Sequence, residues 1–328
     1  MPRNRTDAVW LAAAARLAAR GRPLSRPNPA VGAIAVRDGV VVGRGWTREG
    51  GRPHAEAEAL AMAGAAARGA TLYVTLEPCA HQSERGPSCA SLICESGVAA
   101  VVAGLEDPDP RTAGHGFAML RAAGIAVRLA PQPAVAASLA GYLMQQRAGR
   151  PFITLKLAMS LDGCIALADG TSQWITGEAA RAHGHAMRAQ SDAILVGGGT
   201  LRADRPRLDV RLPGLEARSP ERWVLTQGAA PDGWRALPSP EAVQAMAPAQ
   251  YCLIEGGAGA AAAFLKADLV DRLLLYRAPL VIGAGLRAVG NLDLADLAMA
   301  HGRWRLAGRG TLGTDTLEVY DRTRCLPA

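Results

Sequence analysis

His54 and Glu56 stand two residues apart in Pro53-His54-Ala55-Glu56, and two thiols, Cys79 and Cys89, flank a polar stretch of nine residues broken by Gly and Pro. One imidazole and two thiolates are donors that zinc accepts. Three protein ligands leave the fourth tetrahedral position open for water, which is the catalytic pattern, whereas four ligands make a structural site. Zinc brings the pKa of such a water toward neutrality, and a carboxylate beside the histidine can carry its proton to a leaving amine without binding the metal. A disulfide would account for Cys79 and Cys89, and a solvated capping pair for His54 and Glu56, but neither accounts for all four together. Cys94 competes with Cys89 as a ligand, yet it falls in the middle of Leu92-Ile-Cys-Glu-Ser96, where a core role is expected.

These residues need elements to position them. An Ala-rich segment predicts a helix over 8–20, with Thr6-Asp7 as its N-cap. Two strands follow over 31–36 and 40–45 about an Asp38-Gly39 turn. A helix over 54–68 stopped by Gly69, a buried strand over 71–76 and a helix over 88–96 closed by Gly97 come next, so that His54 opens one helix and Cys89 lies at the start of another. There the helix dipole and a cation both favour thiolate. A strand over 98–103, a helix over 115–123 and a strand over 125–129 complete an alternation that predicts a layered α/β domain. The pattern breaks across 131–151, which is rich in Pro and Gly, and a fresh strand begins over 152–157. Two domains are therefore expected, 1–148 and 149–328, the second again α/β with strands near 193–196, 222–225, 250–254 and 272–276 and a Gly-rich C-terminal part.

The whole-chain properties agree with an enzyme. At 328 residues, 49% hydrophobic and 20% charged, each half can bury its own core. The net charge of +7 comes mostly from scattered arginines, which suits anionic small molecules, and at 4% aromatic content no base-stacking platform is visible. Nucleic acid and membrane are not expected partners. The basic start and the Ala run after it superficially copy a signal peptide, but Arg16, Arg20 and Arg22 follow directly, so the first helix of a cytoplasmic domain is expected. Six unevenly spread cysteines suit reduced thiols and metal ligation better than a disulfide scaffold.

His-x-Glu followed by Pro-Cys and a further Cys is similar to the zinc deaminase signature. With Asn28-Pro29-Ala30-Val31-Gly32 upstream and a long inter-cysteine loop holding His81 and Arg85, the layout resembles the bifunctional riboflavin-biosynthesis deaminase/reductase family. The C-terminal half carries the resemblance on, in order, through Lys156-Leu-Ala-Met-Ser-Leu-Asp-Gly163, Ser172-Gln-Trp-Ile-Thr176, Arg188-Ala-Gln-Ser191, Gly199-Thr200, Ala203-Asp204 and Glu255-Gly-Gly257. Thr47 stands where the family tends to have His, and Thr226-Gln227 where it has Asp-Ser.

The resemblance implies an α/β protein: a cytidine-deaminase-like three-layer α/β/α domain, then a dihydrofolate-reductase-like α/β domain. It implies one Zn2+ on His54, Cys79 and Cys89 with Glu56 catalytic, and Asn28 and His81 on the substrate. In the second domain it implies substrate contacts from Lys156, Ser172, Arg188, Leu208, Arg211 and Glu255. NADPH would be held by Ala158, Trp174, Thr200, Asp204 and the Gly257 turn. The implied reactions are deamination of a phosphorylated ribosylaminopyrimidine and reduction of its ribosyl group, in a homo-oligomer joined through the reductase domain. Read from the residues alone, the Glu255-Gly-Gly257 turn offers amides to a phosphate but is equally a helix-packing turn, and Trp174 is equally core. A tRNA or nucleotide deaminase with an accessory domain is the alternative.

Overall fold

The computed structural model describes residues 3–81 and 84–323. Two compact units divide the chain, Met1–Ala148 and Gly149–Ala328. The first runs α1 (Arg3–Ala18), β1 (Gly32–Arg37), β2 (Val40–Trp46), α2 (Ala55–Ala63), β3 (Thr71–Val74), α3 (Cys89–Ser96), β4 (Ala100–Ala103), α4 (His115–Ala122), β5 (Ala126–Leu129), α5 (Pro133–Ser138) and α6 (Ala140–Ala148). Its sheet has the order β2-β1-β3-β4-β5, with β1 antiparallel to both neighbours and β3, β4 and β5 parallel.

α1 buries Leu11, Ala14, Ala15 and Ala18, a stripe at helical spacing. It lies so close to β1 that a Cβ on Gly32 would sit 2.0 Å from the Ala14 carbonyl oxygen. α2 presses on the opposite face, where a Cβ on Gly43 would lie 2.0 Å from the Ala59 oxygen and one on Gly45 2.3 Å from the Ala55 oxygen. Side chains alternate across a strand, and Gly45 pairs with Ala33, the neighbour of Gly32, so the two helices cover different faces. α5 packs with α1, and α3 and α4 continue the α2 layer, giving three layers.

Two expectations need correction. Asp7 is no cap: α1 begins at Arg3, and the buried Asp7 carboxylate accepts from the Tyr73 hydroxyl at 3.0 Å and from the Arg128 guanidinium at 2.8 Å. The helix expected over 54–68 ends at Ala63, because Gly64 takes a positive φ of 51° and a short 3-10 turn, Gly64–Ala67, follows.

The second unit contains β6 (Phe152–Met159), β7 (Cys164–Ala166), α7 (Glu178–Arg188), β8 (Ala193–Gly197), α8 (Gly198–Asp204), β9 (Glu221–Leu225), β10 (Arg235–Leu237), β11 (Tyr251–Ile254), α9 (Ala258–Lys266), β12 (Arg272–Arg277), β13 (Leu286–Arg287), β14 (Trp304–Leu312) and β15 (Asp315–Arg322). The main sheet has the order β10-β9-β8-β11-β6-β12-β15-β14, parallel through β12 and antiparallel beyond it. β7 and β13 form a separate two-stranded ribbon. Along β6 the odd positions Ile153, Leu155, Leu157 and Met159 enter the larger core, with Phe264 and Ala261 of α9. The even positions Lys156 and Ala158 therefore face the other side, where α7 contributes Ala180 and Met187. The Gly-rich C-terminal part is in fact the long β14–β15 hairpin, turned at Gly313 with φ 65°. No helix among the described residues is long and apolar enough to cross a membrane.

Candidate active sites

The first site forms at the carboxyl ends of β3 and β4, the usual place for a ligand beside parallel strands. His54 is the N-cap of α2, which the Gly43 and Gly45 contacts pin to the sheet. Cys79 ends the turn after β3. Cys89 is the first residue of α3, whose N-cap Ser88 accepts from the Ser91 amide at 3.1 Å.

These elements bring His54 Nδ1 to 3.2 Å from Cys89 Sγ and 3.6 Å from Cys79 Sγ, and all three donor atoms lie within 4.8 Å of one another. A tetrahedral zinc with its usual bond lengths requires a nitrogen–sulfur separation of roughly 3.5 Å. The donor set and its spacing therefore fit that ion. The far ring nitrogen, Nε2, is 3.2 Å from Asn28 Nδ2, and Asn28 Nδ2 donates to the Gly51 carbonyl at 3.1 Å.

The two thiols are pushed in opposite directions: contact with Cys79 and burial raise Cys89 well above its usual range, so the start of α3 does not by itself make Cys89 a thiolate. The Cys89 side chain and, at 3.3 Å, its backbone amide donate to Cys79, holding that thiol down to about 4 against the effect of burial. Burial alone would lower the pKa of His54, but Cys79 and Glu56 outweigh it and raise it. Burial pushes the Glu56 carboxyl up to about 7, with His54 pulling the other way. A nearly buried acid of that pKa can both take and give a proton near neutrality. The five described cysteines carry free thiols, and Cys325 lies outside the described residues.

His54, Glu56 and Cys79 open onto a cavity of about 390 Å³ whose walls include Asn28, His81 and Arg111. His81 Nδ1 is buried without a hydrogen-bond partner, as expected of a group that meets a ligand. Thr47 also lines the cavity, but its hydroxyl accepts from the Val31 amide at 3.0 Å.

The far wall depends on a residue that sequence reasoning missed. The buried Glu77 carboxylate accepts from the amides of Asp107 at 3.3 Å, Gly114 at 3.1 Å and Phe117 at 3.1 Å, tying the turn that bears Cys79 to the loop before α4. Asp107 in turn accepts from the Tyr142 hydroxyl at 2.6 Å. Glu77→Ala strands three amide donors, so the first unit should lose roughly 3 kcal/mol, read as a lower urea midpoint with an unchanged slope.

In the second unit the structure gathers Lys156, Arg188 and Glu255. Arg188 grips Glu255 with two bonds, Nε to Oε1 at 2.7 Å and Nη2 to Oε2 at 2.9 Å, and Lys156 Nζ lies 3.6 Å from Oε2. Burial would raise the Glu255 carboxyl, but Lys156 and Arg188 beside it hold it at about 2. Arg188 also donates to the Asp209 carbonyl at 2.9 Å. That bond places Leu208, buried with φ 54°, and the exposed Arg211 at the same edge.

Thr200 and Gly257 form a second group: the Gly257 amide, at the N-cap of α9, donates to Thr200 Oγ1 at 3.1 Å. A Cβ on Gly256 would come within 2.6 Å of the Ala260 methyl, so glycine there lets the turn close onto α9. Ala158 stands beside Lys156 on β6, opposite Tyr276. Ser172 lies half-buried in the loop after β7, and Asp204 ends α8, exposed. Trp174 is not core: it is 65% exposed, with the Arg181 guanidinium 4.8 Å above its ring. Among the described residues, no hydrogen bond joins these last three side chains to the Lys156 cluster.

Comparison with known proteins matches both units. Residues 4–105 match the cytidine and deoxycytidylate deaminase zinc-binding region, and residues 151–317 match the RibD C-terminal domain. The chain is 39% identical to riboflavin biosynthesis protein RibD of Escherichia coli K12, over 87% of this chain and 91% of that one. It is similar in structure to RibD of Acinetobacter baumannii, with a TM-score of 0.85, 35% identity and coverage of 98% and 100% of the two chains. A Thermotoga maritima diaminohydroxyphosphoribosylaminopyrimidine deaminase/5-amino-6-(5-phosphoribosylamino)uracil reductase gives a TM-score of 0.85 at 29% identity, covering 97% of this chain and 99% of that one.

Proposed function

This chain belongs to the RibD family of bifunctional deaminase/reductases of riboflavin biosynthesis, and from that premise we propose a substrate, cofactors and residue roles for each unit. The first unit, 1–148, removes an amino group from a diaminopyrimidinone ribosyl phosphate as ammonia. The second, 149–328, reduces the ribosyl side chain of the product to ribityl with NADPH. The observation that carries this reading is the convergence of His54, Cys79 and Cys89 beside the buried Glu56 on one cavity.

His54, Cys79 and Cys89 hold Zn2+, which supplies the Lewis acidity that makes water a nucleophile near neutral pH. Asn28, beside the far edge of the His54 ring, and His81 meet the polar edge of the pyrimidine. Glu56 delivers protons to the ring nitrogen and to the leaving amine. Its burial keeps that proton exchange away from bulk water.

In the second unit Lys156, Arg188 and Arg211 offer positive charge to the sugar phosphate, while Ser172, Leu208 and Glu255 complete the wall around it. The N-terminus of α9 suits a cofactor phosphate, with the Gly257 turn, Ala158, Trp174, Thr200 and Asp204 around the cofactor. NADPH supplies the hydride, and the residues contribute by holding donor and acceptor in line. Copies associate through the reductase unit, and the reduced thiols suit the cytoplasm.

Incubating the protein with the diaminopyrimidinone ribosyl phosphate, with and without NADPH, tests the sequence of steps. Ammonia should appear in both samples, and NADPH absorbance should fall only as ammonia accumulates. NADPH oxidation ahead of ammonia, or ammonia with no oxidation at all, would contradict the assignment.

A further inference from the structure

Lys156 is loosely held by its carboxylate partner. Its ammonium sits 3.6 Å from Glu255 Oε2, on a carboxylate that Arg188 already occupies with two shorter bonds. A four-carbon stem ending in a point charge does not keep one position on such a contact alone.

On its other side is an aromatic wall. The Tyr276 ring centroid lies 5.7 Å from Lys156 Nζ, inside the range in which a ring face attracts a cation. Tyr276 stands on β12 opposite Ala158, next to the Lys156–Leu274 pair, and is only 1% exposed. A buried phenol hydroxyl needs a partner. That partner is His183 Nδ1 at 2.7 Å, and the two rings lie 5.7 Å apart at 56°. Burial lowers the pKa of His183, which favours the neutral imidazole, and in the tautomer protonated on Nε2 the ring accepts from the tyrosine through Nδ1. His183 and Arg188 belong to the same helix, α7. One helix therefore carries both the guanidinium that fixes Glu255 and the imidazole that fixes Tyr276.

We infer that His183 and Tyr276 are positioning residues of the reductase: their hydrogen bond locks the Tyr276 ring as the wall that holds the Lys156 ammonium where it meets the anionic group of the substrate. This inference rests on Lys156 being a substrate contact, as proposed above.

Reductase kinetics with the deaminated substrate test it. Tyr276→Phe and His183→Ala should each lower kcat/KM roughly three- to tenfold. The loss should fall mainly in KM for the pyrimidine substrate, with KM for NADPH and the ammonia-releasing rate unchanged. His183→Asn keeps an acceptor near the place of Nδ1 and should recover most of the loss. In a Lys156→Met protein, Tyr276→Phe should cost nothing further, because the group being positioned is gone. Penalties that multiply in that background, or a Tyr276→Phe protein with wild-type KM, would overturn the pairing while leaving the role of Lys156 intact. A Lys156→Met protein with unchanged reductase kinetics would overturn both.

Discussion

Glu56→Gln is expected to slow ammonia release roughly a thousandfold while leaving zinc content and reductase turnover of the deaminated substrate unchanged. Gln has the shape of Glu and can occupy the same buried place, but it can neither take nor give the proton that the leaving amine needs. The carboxyl is suited to that task because burial lifts it to about 7, so both of its forms are populated at neutral pH. Measuring zinc per chain beside ammonia production separates a lost proton carrier from a lost site. A variant that kept near wild-type ammonia release with zinc bound would remove Glu56 from the chemistry.

Breaking the Arg188–Glu255 pair is expected to have the largest effect on stability. The side chains are 14% and 9% exposed, so Glu255→Ala leaves a guanidinium and the Lys156 ammonium in a poorly solvated place. The second unit should lose roughly 3–5 kcal/mol, and Arg188→Met together with Glu255→Leu should lose less than Glu255→Ala alone.

The pair also predicts a pH dependence. Glu255 is held from 4.5 down to about 2, so the folded unit binds fewer protons than the unfolded chain across that interval. Its contribution, roughly 3 kcal/mol, is present above pH 4.5 and is lost as pH falls through about 2. Denaturant midpoints of the second unit should therefore decline over that window in the wild type and be flatter in Glu255→Gln. Parallel declines would place the titrating group elsewhere.

How much of this was legible in the sequence differs between the units for physical reasons. In the first, each ligand sits at an element boundary with a local signal: His54 where an Ala-rich helix begins, and Cys89 after the capping Ser88. The convergence of His54, Cys79 and Cys89 could thus be read from residue types and spacing. Glu77 could not, because its role depends on three backbone amides 30 to 40 residues away, and a carboxylate between Leu and Pro looks like any other.

The helix expected over 54–68 overruns the end of α2 because Ala65, Ala66 and Ala67 continue the helical composition past Gly64, whose positive φ stops the helix. In the second unit the β14–β15 hairpin was hidden by Gly308 and Gly310, which break the alternation that marks a strand, and by the charged, exposed side chains of an edge strand. The Lys156, Arg188 and Glu255 cluster comes from β6, α7 and the end of β11, far apart in sequence: the parallel β11–β6 pairing sets Glu255 beside Lys156, and α7 brings Arg188 to the same carboxylate.

The zinc site remains the central claim, and X-ray absorption at the zinc edge of the purified protein tests it most directly. One zinc per chain with two sulfur scatterers near 2.3 Å and two lighter ones near 2.0 Å, one nitrogen and one oxygen, is the predicted result. Three or four sulfur scatterers, or a zinc-free protein that still releases ammonia, would contradict it.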